Sequence, residues 1–219
     1  MKHIGLLFDM DGVIINNHKY HFLAWQELAK KYDITISDEF YREKMNGRTL
    51  MELMAVVFNQ EMSKEEARKI GLQKEEIYRN LYRSDLAPTA GLIDFLELAK
   101  KNQIPMAVGT SAPEENVIFT LDGLGIRHYF DAIFDERAVT KGKPNPEIYQ
   151  KCAAGIDREN KNCIVFEDAI SGIKAGENAG SKVIALATSH KREELIADLI
   201  IDDFTNLDLQ QIISLIGNN

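Results

Sequence analysis

At 219 residues, with 45% apolar and 27% charged side chains, the chain has the size and composition of one globular domain with room for a modest insert. A formal net charge of −8, without a run of five basic residues, excludes general nucleic-acid binding, which depends on clustered Lys and Arg. Cys152 and Cys163 are too few for a disulfide framework and wrongly spaced for zinc, so they read as buried reduced thiols of a cytoplasmic protein.

The N-terminal apolar run is too short for a signal peptide, and no later stretch has the length of a membrane span. That run, Ile4 to Phe8, reads as a buried strand. The spacing then predicts helices at 19–32, 38–45, 49–59 and 64–82 with no convincing strand among them. Ser63 and Glu66 form a capping box ahead of the last, and the Lys and Glu run from Lys64 to Lys74 reads as a solvated helix face. From Gly91 to Lys101, apolar Leu92, Phe95, Leu96 and Ala99 make one buried helical stripe. Strands follow at 104–109, 132–134, 163–166, 182–186 and 199–201. Helices at 114–124, 170–179 and 207–216 alternate with them, and a further helix starts at Asn145-Pro146-Glu147, with Asn145 as N-cap and Pro146 in the first turn. Most of the strands lack polar alternation, as expected when both faces are covered. The fold class is therefore α/β: a doubly wound, Rossmann-like parallel sheet formed by residues 1–15 and 86–219, with an inserted α-helical bundle at 16–85.

Chemistry-bearing residues cluster at the strand ends. Asp9 and Asp11 directly follow the first strand, and a carboxylate pair one residue apart can converge on one ion. Gly12 permits a tight path after them. Alone, this segment reads equally as a polar turn. Thr110 ends the second strand; its hydroxyl and the N–H groups of Ser111 and Ala112 suit a phosphate near a helix start. Lys143 is stiffened by Pro144, and Glu167 and Asp168 end the fourth strand as oxygen ligands suited to a hard cation. In a doubly wound sheet, ligands bind beyond the carboxyl ends of strands where strand order reverses. If the first strand lies between the second and the fourth, all of these groups meet in one crevice.

Asp9-x-Asp11-Gly12, Thr110, Lys143-Pro144 and Glu167-Asp168, in this order, resemble the four motifs of the haloacid dehalogenase (HAD) superfamily across nearly the whole chain. The helical insert resembles the C1-type cap of the phosphoglycolate phosphatase and β-phosphoglucomutase group. Phe8-Asp9-Met10-Asp11-Gly12-Val13, His21, Trp25 and Val165-Phe166-Glu167-Asp168-Ala169-Ile170-Ser171-Gly172 look especially like the β-phosphoglucomutase branch. The resemblance implies that Asp9 attacks phosphorus, that Asp11 serves as acid and base, and that Lys143 and Thr110 hold the phosphoryl oxygens. It also implies Mg²⁺ bound by Asp9, the main-chain carbonyl of Asp11 and Asp168, with Glu167 as a direct or indirect partner. Gly12, Ser111, Ala112, His21 and Arg48 are the candidate substrate contacts. His21 reads either as a substrate contact or as a helix residue packed beside Trp25; Arg48 lies in a turn before an N-cap Thr49 or reaches to substrate. His190 reads as surface or structural.

The resemblance leaves two activities. A mutase must grip a second phosphate, and the cap Arg and the Lys with which the β-phosphoglucomutase pattern does this are replaced here by Leu50 and Pro113. Each lost charge-assisted contact costs about 1.5–3 kcal/mol of binding. The expectation is thus a Mg²⁺-dependent phosphatase acting on a small phosphorylated metabolite, with a mutase as the alternative and phosphoglycolate phosphatase or pyrophosphatase activity behind it. No nucleic acid, membrane or obligate protein partner is expected.

Overall fold

The computed structural model of the chain describes residues 3–45 and 50–217. The chain forms two compact units, one from residues 1–16 and 86–219, the other from 17–85. Among the described residues no helix is long and apolar enough to cross a membrane.

In chain order the elements are β1 (Gly5–Phe8), α1 (His18–Lys30), α2 (Asp38–Phe40), α3 (Leu50–Phe58), α4 (Lys64–Tyr82), α5 (Leu92–Lys101), β2 (Met106–Gly109), α6 (Glu114–Gly123), β3 (Ala132–Phe134), α7 (Glu147–Gly155), β4 (Cys163–Glu167), α8 (Ile170–Ala179), β5 (Lys182–Leu186), β6 (Leu199–Ile201) and α9 (Leu209–Gly217). The six strands make one sheet of order β3-β2-β1-β4-β5-β6, parallel throughout. β1 therefore does lie between β2 and β4, the point at which the chain stops adding strands on one side and begins on the other. β1, β2 and β4 are buried along their whole length, whereas the edge strands β3 and β6 are half-exposed.

Alternation along the strands sorts the core into two layers. Leu7, Ala107, Val165 and Val183 join Ile148, Tyr149, Cys152 and Ala153 of α7 and Ile173 and Ala175 of α8 on one face. On the other, Phe8 stacks on Phe166 with centroids 4.7 Å apart, and Phe95, Phe130 and Phe204 close around them. Both cysteines are free and buried.

In the helical unit, α1 runs along α4, and Trp25, Leu28, Tyr41, Met54, Val57 and Ala67 form its core. The expected capping box is present: Ser63 Oγ accepts from the N–H of Glu66 at 3.2 Å, and the Glu66 carboxylate accepts from the N–H of Ser63 at 3.1 Å. The helix expected at 38–45 is a single α turn that widens into a π turn at Tyr41–Met45. One expectation fails. Lys74, at the end of the run read as a solvated face, is only 5% exposed. Its ammonium meets the His21 ring and Glu75 Oε1, the latter at 2.9 Å, with the Tyr78 ring centroid 5.5 Å away. A periodic pattern of charge does not reveal which lysine turns inward when one of its partners, here His21, comes from another helix.

Two helix starts also move. α7 begins at Glu147 with Pro146 in the cap position, and Asn145 Oδ1 still accepts from the Glu147 N–H at 3.1 Å, one residue further out than expected. α9 begins at Leu209, where Asp208 Oδ1 accepts from the Gln211 N–H.

Phe166 is fully buried, with its ring 5.6 Å from Phe95 and 5.4 Å from Phe204. Phe166→Ala is expected to lower unfolding free energy by about 3–5 kcal/mol, read from denaturant midpoints at unchanged m-value.

Candidate active site

β1 is followed immediately by Asp9, whose N–H donates to the Phe166 carbonyl at 2.9 Å and so extends the ladder by one residue. Because side chains alternate, Asp9 points to the same side as Leu7, and Glu167 to the same side as Val165, toward α7 and α8. On that side the Lys143 ammonium lies 2.7 Å from Asp9 Oδ1 and 2.6 Å from Glu167 Oε1. Lys143 comes from the loop ahead of α7. That loop is pinned by Glu147 Oε2, which accepts from the N–H and hydroxyl of Thr140, both at 2.9 Å, and from the N–H of Lys141 at 3.2 Å.

Glu167 is 1% exposed and fully engaged. Oε1 takes hydrogen bonds from Lys143 and from the Tyr149 hydroxyl at 2.7 Å; Oε2 takes them from the N–H groups of Asp168 and Ala169 at 2.9 and 3.0 Å. Asp168 is held mainly by its backbone: its carbonyl accepts from Ser189 Oγ at 2.9 Å and lies 3.2 Å from His190 Nδ1. Thr188 Oγ1 donates to the Gly12 carbonyl at 2.7 Å and lies 3.5 Å from Asp168 Oδ2. Thr110, 2% exposed, donates its N–H to Phe134, and its hydroxyl oxygen accepts from the Ala112 N–H at 3.1 Å.

Two glycines make room for these carboxylates. Gly12 has φ +77°, and a Cβ there would stand 2.0 Å from Asp168 Oδ2. A Cβ at Gly172, on the first turn of α8, would stand 1.7 Å from Glu167 Oε1.

Carboxylate oxygens of Asp9, Glu167 and Asp168 lie within 4.8 Å of one another, all three residues buried. Burial, together with Glu167 and Asp11, pushes the Asp9 carboxyl up to about 7 against the pull of Lys143. Burial, Glu167 and Asp9 hold Asp168 well above the carboxylate range. Burial works against the Lys143 ammonium, but Asp9 and Glu167 outweigh it and hold the group above its ordinary value. One ammonium thus accompanies three converging acids, of which Asp9 and Asp168 offer hard oxygen donors of the kind that fit a divalent cation.

A family model described as haloacid dehalogenase-like hydrolase matches residues 6–186. The chain belongs to this family. A fructose-1-phosphate phosphatase of Escherichia coli (strain K12) is 30% identical, covering 84% of this chain and 96% of its own. A β-phosphoglucomutase of Bacillus subtilis (strain 168) is 29% identical over 94% of this chain and 92% of its own. Against a chloroplastic 5-amino-6-(5-phospho-D-ribitylamino)uracil phosphatase of Arabidopsis thaliana, 27% identical over 95% of this chain, it spans 57% of the relative's length. A crystal structure of a HAD hydrolase, family IA, variant 3, from Entamoeba histolytica HM-1:IMSS superposes with TM-score 0.93 at 33% identity, covering 98% of this chain and 100% of that one.

In this HAD-like hydrolase Asp9, Lys143, Glu167 and Asp168 come together, with Thr110 at the neighbouring strand end. Asp11 is half-buried; Ser111 is exposed and Ala112 is buried. His21, in the helical unit, stacks on Tyr78 at 4.1 Å, and its Nε2 lies 3.2 Å from Asn17 Nδ2. Arg48 and Thr49 lie outside the described residues. The sequence reading missed Tyr149 and the Thr188-Ser189-His190 turn. The signal available for the latter was a polar triplet directly beyond β5, level with the other strand ends.

The four-donor hold on Glu167 leaves its carboxylate nowhere to retreat from a methyl group at residue 172. Gly172→Ala is expected to destabilise by about 1–3 kcal/mol and to abolish turnover, measured by calorimetry and phosphate release. Glu147 gives a pH test. Hydrogen bonds from the Thr140 hydroxyl, the Thr140 N–H and the Lys141 N–H lower its carboxyl from 4.5 to about 2. A depressed carboxyl contributes stability that is complete above pH 4.5 and lost as pH falls through about 2. Carboxyl-carbon NMR is expected to find Glu147 still ionised at pH 3, where an exposed Glu is protonated.

Proposed function

We propose that this protein is a Mg²⁺-dependent phosphatase that removes the phosphoryl group of a small phosphorylated metabolite, a sugar phosphate or similar ester, by way of Asp9. The chain is a phosphoric monoester hydrolase of the HAD family. The observation that carries the finer reading is the Lys143–Asp9 pair beside buried Asp168, at the ends of adjacent parallel strands.

Asp9 attacks phosphorus and becomes the aspartyl-phosphate, which divides one hard displacement into two easier ones. Asp11 gives a proton to the departing ester oxygen, then takes one from the water that attacks the same phosphorus. Inorganic phosphate leaves and Asp9 returns to its starting form. Lys143 and Thr110, with the N–H of Ser111, hold the phosphoryl oxygens, where charge is spread in the transition state. Asp9, the main-chain carbonyl of Asp11 and Asp168 would hold Mg²⁺, which supplies the positive charge that lets an anionic ester approach three acids. The 17–85 unit is assigned the cap's part, choice of leaving group, with His21 as its described candidate contact.

A mutase reading is favoured by the β-phosphoglucomutase relative. Against it stand Leu50 and Pro113 where a second phosphate would need cations; Pro113 is the N-cap of α6. A phosphate-release screen over phosphorylated metabolites with Mg²⁺ tests both. Release of inorganic phosphate from at least one sugar phosphate is expected, with Asp9→Asn inactive. Turnover surviving in Asp9→Asn would remove the nucleophile, and glucose phosphates interconverted faster than phosphate is released would make the protein a mutase.

A further inference from the structure

A lysine ammonium is a compact charge on a flexible four-carbon stem, so something must fix it if it is to meet a transferring phosphoryl group at one point. Asp9 cannot be that anchor throughout, because its own carboxylate is the group that reacts. Glu167 is the other anion in contact, at 2.6 Å. Its geometry is set by four donors, of which two are main-chain N–H groups, one is Lys143 itself and one is Tyr149. A carboxylate has about four acceptor sites, so Glu167 has little left to offer a cation. Tyr149 is wholly buried on α7, six residues beyond Lys143, with its ring centroid 5.0 Å from the ammonium. A phenylalanine would fill the same volume. The hydroxyl adds a donor aimed at Glu167 Oε1, on the very oxygen that Lys143 uses.

We propose that Tyr149 is a positioning residue for phosphoryl transfer: its hydroxyl fixes Glu167 as the anchor of Lys143 and commits Glu167 to the lysine rather than to the metal. The proposal rests on the reading that Lys143 holds the phosphoryl group. Without the phenol, the Glu167 carboxylate turns on its remaining donors and carries Lys143 with it. An interaction that matters where charge develops lowers kcat and leaves KM in place.

The test uses the full chain as Tyr149→Phe, Glu167→Gln and the double variant. Hydrolysis of p-nitrophenyl phosphate with Mg²⁺ is measured alongside Mg²⁺ affinity by isothermal titration calorimetry. Tyr149→Phe is expected to lower kcat about tenfold with KM within about twofold. In the Glu167→Gln background the same substitution is expected to change kcat by less than about twofold, because its route runs through Glu167. The Mg²⁺ dissociation constant is expected to stay within about threefold in both single variants, against the 10–100-fold loss, roughly, that accompanies removal of a group tied to the metal. Wild-type kcat in Tyr149→Phe, additive losses in the double variant, or Mg²⁺ affinity at least about tenfold weaker in Glu167→Gln each overturn the proposal. A wild-type protein that hydrolyses no phosphate ester overturns the phosphatase reading instead, and the calorimetric comparison then still decides whether Glu167 belongs to the metal.

Discussion

The structure turns on the cost of gathering three carboxylates where water is largely excluded. Asp9, Glu167 and Asp168 are each under a tenth exposed, and desolvating one such ion without compensation costs several kcal/mol. Lys143 answers part of that cost. Main-chain N–H groups at the end of β4 and the Tyr149 hydroxyl answer more. The remaining imbalance appears as the upward push on Asp9 and Asp168. A sheet that spends stability in this way gains a place where added cationic charge is strongly favoured.

The surrounding architecture follows from keeping that cluster in register. Parallel pairing of β1 with β4 sets Asp9 beside Glu167, and pairing with β2 sets Thr110 one strand over. The aromatic layer of Phe8, Phe95, Phe166 and Phe204 fixes the spacing of β1 and β4 from behind. Glycine at 12 and at 172 leaves the volume that the carboxylates occupy. Glu147 then pins the loop that delivers Lys143, so a helix start on the surface governs the position of a charge in the interior.

Much of this was legible in the sequence, for a physical reason. Short unbroken apolar runs such as Gly5–Phe8 and Cys163–Phe166 suit strands covered on both faces, and an acid at the end of each stands out against them. Tyr149 was not legible, since an aromatic residue at helical spacing reads as core, which it also is. Lys74 was misread because local periodicity cannot see His21, fifty-three residues away, across the helical unit. Thr188, Ser189 and His190 lie in a turn without periodicity, and their part in holding Asp168 and Gly12 depends on a contact between strand ends distant in sequence. Sequence pattern reports burial along one element; it is silent on which buried polar group meets which.

Glu167 and Asp168 illustrate that silence most sharply. They are neighbours with the same charge, and as a motif they read as a single acidic pair. Strand alternation sends Glu167 toward α7, where Lys143, Tyr149 and two N–H groups satisfy both of its oxygens. Asp168 falls one residue later, past the end of the ladder, and turns toward Gly12 and Thr188. There Thr188 Oγ1 lies 3.5 Å from its Oδ2, and burial, with Glu167 and Asp9 close by, holds its carboxyl well above the usual range. Two adjacent acids thus acquire different surroundings: one has its charge matched by Lys143 and its oxygens filled by hydrogen-bond donors, and the other, past the strand end, is buried beside two further acids.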